Sequence, residues 1–171
     1  ELLEKTLPAA PLKLIAMESC RELGQKVNDY IVSFRQNTLT ENHTSPLFRA
    51  YSTDNYLIDC DCPRFGTGES KGLLGESIRG KDLFVMVDVC NYSLTYTVSG
   101  HLNHMSPDDH YQNLKRIIAA VGGKAKRINV IMPFLYEGRQ HRRTKRESLD
   151  CALALRELSA MGVSNIITFD A

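Results

Sequence analysis

No tryptophan occurs in this chain of 171 residues, and no apolar run approaches the roughly 20 residues a membrane-spanning helix needs. The opening stretch Glu1-Leu2-Leu3-Glu4-Lys5 lacks the zones of a secretory signal. An excess of one charge is missing too. The formal net charge is +1, which excludes a general attraction to nucleic acid or to an anionic membrane surface. Cysteine is too sparse and irregular for a disulfide framework. The five (Cys20, Cys60, Cys62, Cys90, Cys151) are an odd number without regular spacing, which suits reduced thiols and a cytoplasmic protein. Cys60-Asp61-Cys62 offers half a metal site, but no second cysteine pair or suitably spaced histidine completes the ligands of structural zinc. Free thiols are the expectation there.

What is present is enough for one domain with a real core, since 43% of the residues are hydrophobic and 24% charged. Residues 1–11, with Pro8 and Pro11, read as a lead-in, and Leu12–Met17 as a first strand. From Glu18 the apolar positions Leu23, Val27, Tyr30, Ile31 and Phe34 fall three and four apart and predict a helix with that stripe buried. Residues 37–54 are polar and rich in turn formers, a surface excursion with room for an irregular hairpin. Tyr56–Cys60 reads as a second strand. Asp82–Val89 is the strongest one, apolar almost throughout, as when both faces of a parallel sheet are covered.

Residues 91–106, with His101 and His104, read as loose chain. Ser106-Pro107-Asp108-Asp109 is a helix start, with Ser as N-cap, Pro next and two acids at the positive end of the dipole. Leu114, Ile117, Ile118 and Val121 supply its buried face, and Gly122-Gly123 ends it. A helix over Arg146–Met161 is expected to bury Leu149, Leu153, Leu155 and Leu158 and to stop at Gly162, before a last strand at Asn165–Asp170. The alternation of strands and helices predicts an α/β fold, a parallel sheet flanked by helices. A chain halting at Ala171, where such folds place a functional loop, is expected to be one part of a longer protein.

The chemistry gathers between Ile128 and Arg146. The apolar run Ile128–Met132 is a buried strand, and Pro133 stops its ladder for want of an N–H. Arg139, Arg142, Arg143, Lys145 and Arg146 follow, with His141 among them. In open α/β sheets ligands bind beyond the carboxyl ends of the strands, and guanidinium forks suit phosphate oxygens, so this placement predicts an anion site. A solvated basic loop is the plainer alternative.

Three passages carry a resemblance. Phe65-Gly66-Thr67-Gly68-Glu69, then Glu76-Ser77-Ile78-Arg79-Gly80-Lys81-Asp82, then Val130–Arg143 with its Arg139-Gln140-His141-Arg142-Arg143, resemble the N-terminal half of ribose-phosphate pyrophosphokinase (PRPP synthetase). Ile166–Asp170 is similar to the family's strand leading to a metal ligand. Order and spacing agree from Leu12 to Ala171 apart from extra residues in 37–54 and 91–108.

The resemblance implies a phosphoribosyltransferase-like fold, one domain of a normally two-domain protein. The activity it implies is transfer of the β,γ-diphosphoryl group of ATP, with Mg²⁺, to O1 of ribose 5-phosphate. It implies a homo-oligomer in which Phe65 stacks on the adenine of a neighbouring subunit's ATP while Thr67 and Glu69 meet the base edge. Arg139 and Gln140, with His141 beside them, would hold the nucleotide, and Ser77 and Arg79 would line a regulatory phosphate or ADP site. Catalytic residues, the ribose 5-phosphate loop and the histidine that binds Mg²⁺ would lie beyond Ala171, so this piece alone should not turn over.

The departures are His141 in place of an aspartate, Thr67 in place of Asp or Asn, and the two insertions. They keep open a non-catalytic regulatory or assembly partner, and the arginines alone would suffice for a stand-alone nucleotide or phosphate binder. Plainer readings also stand beside single residues. Phe65 can be a core aromatic, Glu69 a solvated acid, Glu76 a helix-start or turn acid, Arg79 a surface partner of Asp82, and Asp88 a structural cap. His101, His104 and His110 can be loop histidines rather than metal ligands.

Overall fold

Stretches dense in branched side chains become the parallel strands, and the amphipathic runs between them become covering helices. The computed structural model describes residues 8–40 and 52–171. In chain order the elements are β1 (Leu12–Ala16), α1 (Arg21–Thr40), β2 (Cys60–Asp61), β3 (Leu73–Leu74), β4 (Asp82–Met86), β5 (Thr95–Val98), β6 (His101–His104), α2 (Pro107–Val121), β7 (Arg127–Ile131), α3 (Asp150–Ala160) and β8 (Val163–Ile167). Single 3-10 turns stand at Glu18–Cys20 and Gly138–Gln140. The main sheet is parallel throughout, in the order β1-β4-β7-β8, while β2/β3 and β5/β6 form separate antiparallel pairs.

Alternation along the strands sorts side chains to two faces. Ile15, Leu83, Val85, Ile128 and Val130 meet Leu114, Ile117, Ile118 and Leu158 of α2 and α3. Leu14, Phe84, Met86 and Ile131 meet Cys20, Val27 and Ile31 on the α1 side. Burying each such side chain contributes about 1.5–3 kcal/mol, far more than helix propensity does. The expected helix start at Ser106 is a full capping box: its Oγ accepts from the Asp109 amide at 3.1 Å, and the Asp109 carboxylate accepts from the Ser106 amide at 2.9 Å. At the other end Gly122 takes the left-handed conformation, φ 59°.

One polar row crosses the sheet. Buried Asp82 on β4 accepts from Arg127 Nε at 2.8 Å, from the same guanidinium's NH2 group, and from Asn129 Nδ2 at 2.9 Å. Asn129 Oδ1 accepts in turn from Asn165 Nδ2 on β8 at 2.7 Å. Asp82 therefore pairs with Arg127, and the alternative of a surface pairing with Arg79 is not what the described residues show.

The buried stripe of α1 is shifted from the one expected. Leu23, Tyr30 and Phe34 are exposed, Tyr30 and Phe34 stacking with ring centroids 6.4 Å apart, while Gly24, Val27, Asn28 and Ile31 face inward. Two inward residues are not apolar, which is why a hydrophobic template misses them. Gly24 lets the helix approach β1: a Cβ there would stand 2.2 Å from Ala16 Cβ. Asn28 Oδ1 accepts from the Tyr56 amide at 2.8 Å and so satisfies a buried donor. Gly24→Ala is expected to lower unfolding stability by about 1 kcal/mol, a mid-range overpacking cost of about 2 less a helix-propensity gain of about 1. Chemical denaturation measures it; an unchanged midpoint contradicts this close approach.

Other boundaries move as well. Residues 37–40 continue α1, and 41–51 and 1–7 lie outside the described residues, so most of the expected 37–54 excursion does too. Tyr56–Cys60 is only a partial strand. Tyr56 O and Ile58 N bond to Leu14 at 2.8 Å each along the free edge of β1, then the chain leaves as β2. The segment read as loose over 91–106 holds the β5–β6 hairpin, whose two-residue turn Ser99-Gly100 has both φ angles positive. α3 begins at Asp150 rather than Arg146, because Thr144 and Glu147 close a turn of their own, and it buries Cys151, Ala154 and Leu158 while Leu153 is exposed.

Candidate functional site

Beyond the carboxyl ends of β4 and β7 the chain builds a hollow of about 280 Å³, lined by Val89, Cys90, Pro107, Phe134, Tyr136 and Arg139. β7 and β8 stay joined past their formal ends: Leu135 N donates to Asp170 O at 2.9 Å, and Asp170 N to Pro133 O at 3.0 Å. The following turn is closed by Gly138 N to Leu135 O at 3.0 Å, with Glu137 left-handed at φ 57°. That turn delivers Arg139, exposed, to the rim. Its positive charge acts on the Cys90 thiol, which burial first and Asp88 second nevertheless push up.

The neighbouring residues behave differently. Gln140 Nε2 donates to Ser148 O at 2.7 Å, and His141 Nδ1 lies 2.8 Å from Gly138 O, so both side chains brace their own loop. Arg142, Arg143, Lys145 and Arg146 are exposed and do not line the hollow. Of the cation cluster expected to act together, only Arg139 stands at the cavity. Tyr136, which the sequence did not single out, forms its wall: its hydroxyl donates to Asp108 Oδ1 at 2.7 Å and its ring stacks on Tyr111 at 4.2 Å. Burial, then Asp108, pushes its phenol up, so it remains a donor.

A second, open groove lies on the far side of Asp108. There Phe65–Glu69 forms a tight turn, closed by Phe65 N to Glu69 O at 2.7 Å and Gly68 N to Phe65 O at 2.9 Å. Gly68 has φ 91°. Phe65 is 52% exposed, which removes the core-aromatic reading. Thr67 and Glu69 line the groove, Thr67 Oγ1 donating to Glu69 Oε2 at 3.1 Å. Arg64 anchors the turn, donating to Gly68 O and to Asp109 Oδ1, both at 2.8 Å. Asp108 lines this groove while holding Tyr136 of the other hollow, so the first turn of α2 stands between them.

Asp109 is opposed by burial, but the Ser106 amide and hydroxyl and the Arg64 guanidinium outweigh it and hold its carboxyl below the usual carboxylate range. A depressed folded value contributes stability above the unfolded value near 3.8 and loses it as pH falls through the folded one. Unfolding stability is therefore expected to decline as pH drops below about 4, with a shallower slope in Asp109→Asn. Equal slopes in acid titrations of the two proteins count against this.

Ser77 and Arg79 are exposed at the amino end of β4, opposite the end that leads to Cys90, with Arg79 N 3.5 Å from Ser77 Oγ. Glu76 pairs with Lys13 at 2.6 Å. Asp88 caps its own turn, accepting from Cys90 N at 2.9 Å. The histidines hold the hairpin's approach: His104 Nδ1 lies 2.8 Å from Tyr92 O, and buried His110 Nε2 lies 2.7 Å from Asn91 O. Cys60 and Cys62 face inward, their thiols pushed up to about 12 and about 11, by burial first. Among the described residues no three of His, Cys, Asp and Glu come together as a metal cluster, and no helix is long and apolar enough to cross a membrane.

Residues 12–162 match the family model described as the N-terminal domain of ribose phosphate pyrophosphokinase. The ribose-phosphate pyrophosphokinase of Thermosipho africanus is 26% identical over 160 residues, 93% of this chain and 40% of that protein. That of Bacillus caldolyticus is 32% identical over 115 residues, 67% of this chain and 32% of its own length. Ribose-phosphate pyrophosphokinase 1 of Schizosaccharomyces pombe is 32% identical over 113 residues, 66% of this chain and 24% of the relative. The chain thus spans well under half the length of these relatives. Its fold is similar to the crystal structure of phosphoribosylpyrophosphate synthetase from Mycobacterium smegmatis, with TM-score 0.62 and 22% identity over 92% of this chain and 41% of that one.

Proposed function

Because the chain belongs to the family of ribose phosphate pyrophosphokinase N-terminal domains, we propose that it supplies the ATP-binding side of a ribose-phosphate diphosphokinase that makes 5-phosphoribosyl diphosphate. A second domain, beyond this chain, would hold ribose 5-phosphate. The carrying observation is that Arg139 lines one hollow, while Thr67 and Glu69 of the turn that exposes Phe65 line another, Asp108 standing between them. On this reading the nucleotide is shared by two copies, one giving Arg139 to the phosphates and the other presenting the half-exposed Phe65 to the base, as the resemblance implies. The same reading has the protein work as a homo-oligomer, and reduced thiols suit a cytoplasmic setting.

The chemistry asks little covalent work of the protein. Diphosphoryl transfer is accelerated mainly by positioning and by neutralising charge on the phosphates, and a guanidinium at the sheet's carboxyl edge does both. Phe65 offers a flat face to a purine, and the Thr67 hydroxyl and Glu69 carboxylate beside it can read the base edge. Mg²⁺ would arrive with the phosphates. The donor set in the described residues does not fit an ion held by protein ligands alone, so no step is assigned through it. Ser77 and Arg79, at the other end of β4, would serve a separate regulatory phosphate site.

The test is AMP release by the full-length protein. Release dependent on ribose 5-phosphate supports the diphosphokinase. Absence of AMP from a folded protein favours a regulatory or assembly partner, for which His141 and Thr67 would be the first residues to inspect.

A further inference from the structure

We propose that the β5–β6 hairpin is a brace that fixes the pose of the Phe65–Glu69 turn, with Tyr96 as a positioning residue for the nucleotide. The inference rests on the reading above, in which Phe65 meets the base of ATP held by a second copy. Phe65 is half exposed, and among the described residues its ring partner is Lys71 Nζ, 6.0 Å from the ring centroid. The ring's direction is therefore set by the backbone beneath it rather than by packing around it. Any element gripping that backbone controls how the ring is offered.

The hairpin does grip it. Along β5 exposure alternates, with Thr95 and Thr97 outward and Tyr96 and Val98 turned to partly buried positions. Val98 sits against the turn's left-handed glycine: a Cβ on Gly68 would stand 3.3 Å from Val98 Cγ2. The Tyr96 ring lies under the Arg64 guanidinium, 3.6 Å from Cζ to centroid. That guanidinium also donates to Gly68 O and to Asp109 at 2.8 Å each, so three elements meet on one side chain: hairpin, turn and α2 cap. A stacked guanidinium keeps its fork in plane for those two bonds. Removing the ring leaves Arg64 free to leave Gly68 O, and the turn keeps only its internal hydrogen bonds.

Residues of the hairpin do not line the Arg139 hollow. Its influence on ATP would pass through Phe65.

Two measurements on the full-length protein test this. In Tyr96→Ala the Phe65 and Gly68 amides, which donate within the turn, should exchange with deuterium faster while β4 and β7 amides stay as in the wild type. The KM for ATP should rise about fivefold, the effect of losing one cation–π contact at a partly exposed site. The kcat and the KM for ribose 5-phosphate should not change. Tyr96→Phe, which keeps the ring, should restore both readouts, and Val98→Ala should reproduce the exchange change if Tyr96→Ala folds poorly. Unchanged exchange at Phe65 and Gly68 overturns the brace whatever the activity. Faster exchange with an unchanged ATP KM in an active enzyme overturns the positioning role. Should the wild type show no ribose 5-phosphate-dependent use of ATP, the functional reading fails separately and the nucleotide role falls with it, while exchange still decides whether the hairpin holds the turn.

Discussion

Asp82→Ala lowers the unfolding free energy by about 3 kcal/mol, the low end of the cost of breaking a buried charge pair. Asp82 is 7% exposed, and its carboxylate is shared by Arg127 and Asn129. Without it the Arg127 guanidinium can turn to water, since that side chain is 40% exposed, which keeps the cost from reaching the upper range. Asn129 is worse placed. It is buried at 1% and keeps only the Leu83 carbonyl, at 3.1 Å, as acceptor for its amide. Asp82→Asn keeps the shape and loses less, about 1–2 kcal/mol for a weakened charged hydrogen bond. Urea denaturation with unchanged slope measures both; an alanine loss under about 1 kcal/mol would show the row to be incidental to stability.

The second large effect falls on binding. Under the proposed function, Arg139→Ala is expected to weaken ATP binding to the full-length protein by more than tenfold, about 1.5 kcal/mol being the lower range for a hydrogen bond to a charged group. Its denaturation midpoint does not move, because Arg139 is exposed at the rim. Arg142→Ala is the comparison. That residue is exposed but does not line the hollow, so its loss is less than about threefold, the scale of a screened surface charge. Calorimetric titration separates the cases. Unchanged affinity in Arg139→Ala removes it from the site, and equal losses in both variants would make the loop a general anion attractor.

The four parallel strands, α2 and the carboxyl-edge placement of Arg139 were legible because each is written in a local signal: apolar runs, a Ser-Pro-Asp-Asp cap, a proline that ends a ladder. What was hidden depends on pairs of residues distant in sequence. Gly24 and Asn28 carry no hydrophobic mark, yet one admits β1 and the other satisfies Tyr56, so the α1 stripe was read one position off. The use of Gln140 and His141 to hold their own loop follows from a turn set by the left-handed Glu137, which no periodicity reveals. Tyr136 gained its place through Asp108, far away in the chain. The Ser99-Gly100 turn between alternating residues was a readable hairpin signal, outweighed by the polar character of the surrounding stretch.

The parallel pairing of β1 with β4 has a consequence for the chain as it is made. Leu12 finds its ladder partner only at Asp82, whereas β4 meets β7 after a shorter interval closed by α2. Translation delivers about 5–20 residues per second, so β1 and α1 leave the ribosome several seconds before the strand that shelters them. Nascent chains arrested short of Asp82 should thus be cut readily by protease within β1 and should engage holdase chaperones there. Release past Ile131 should protect that segment in one step.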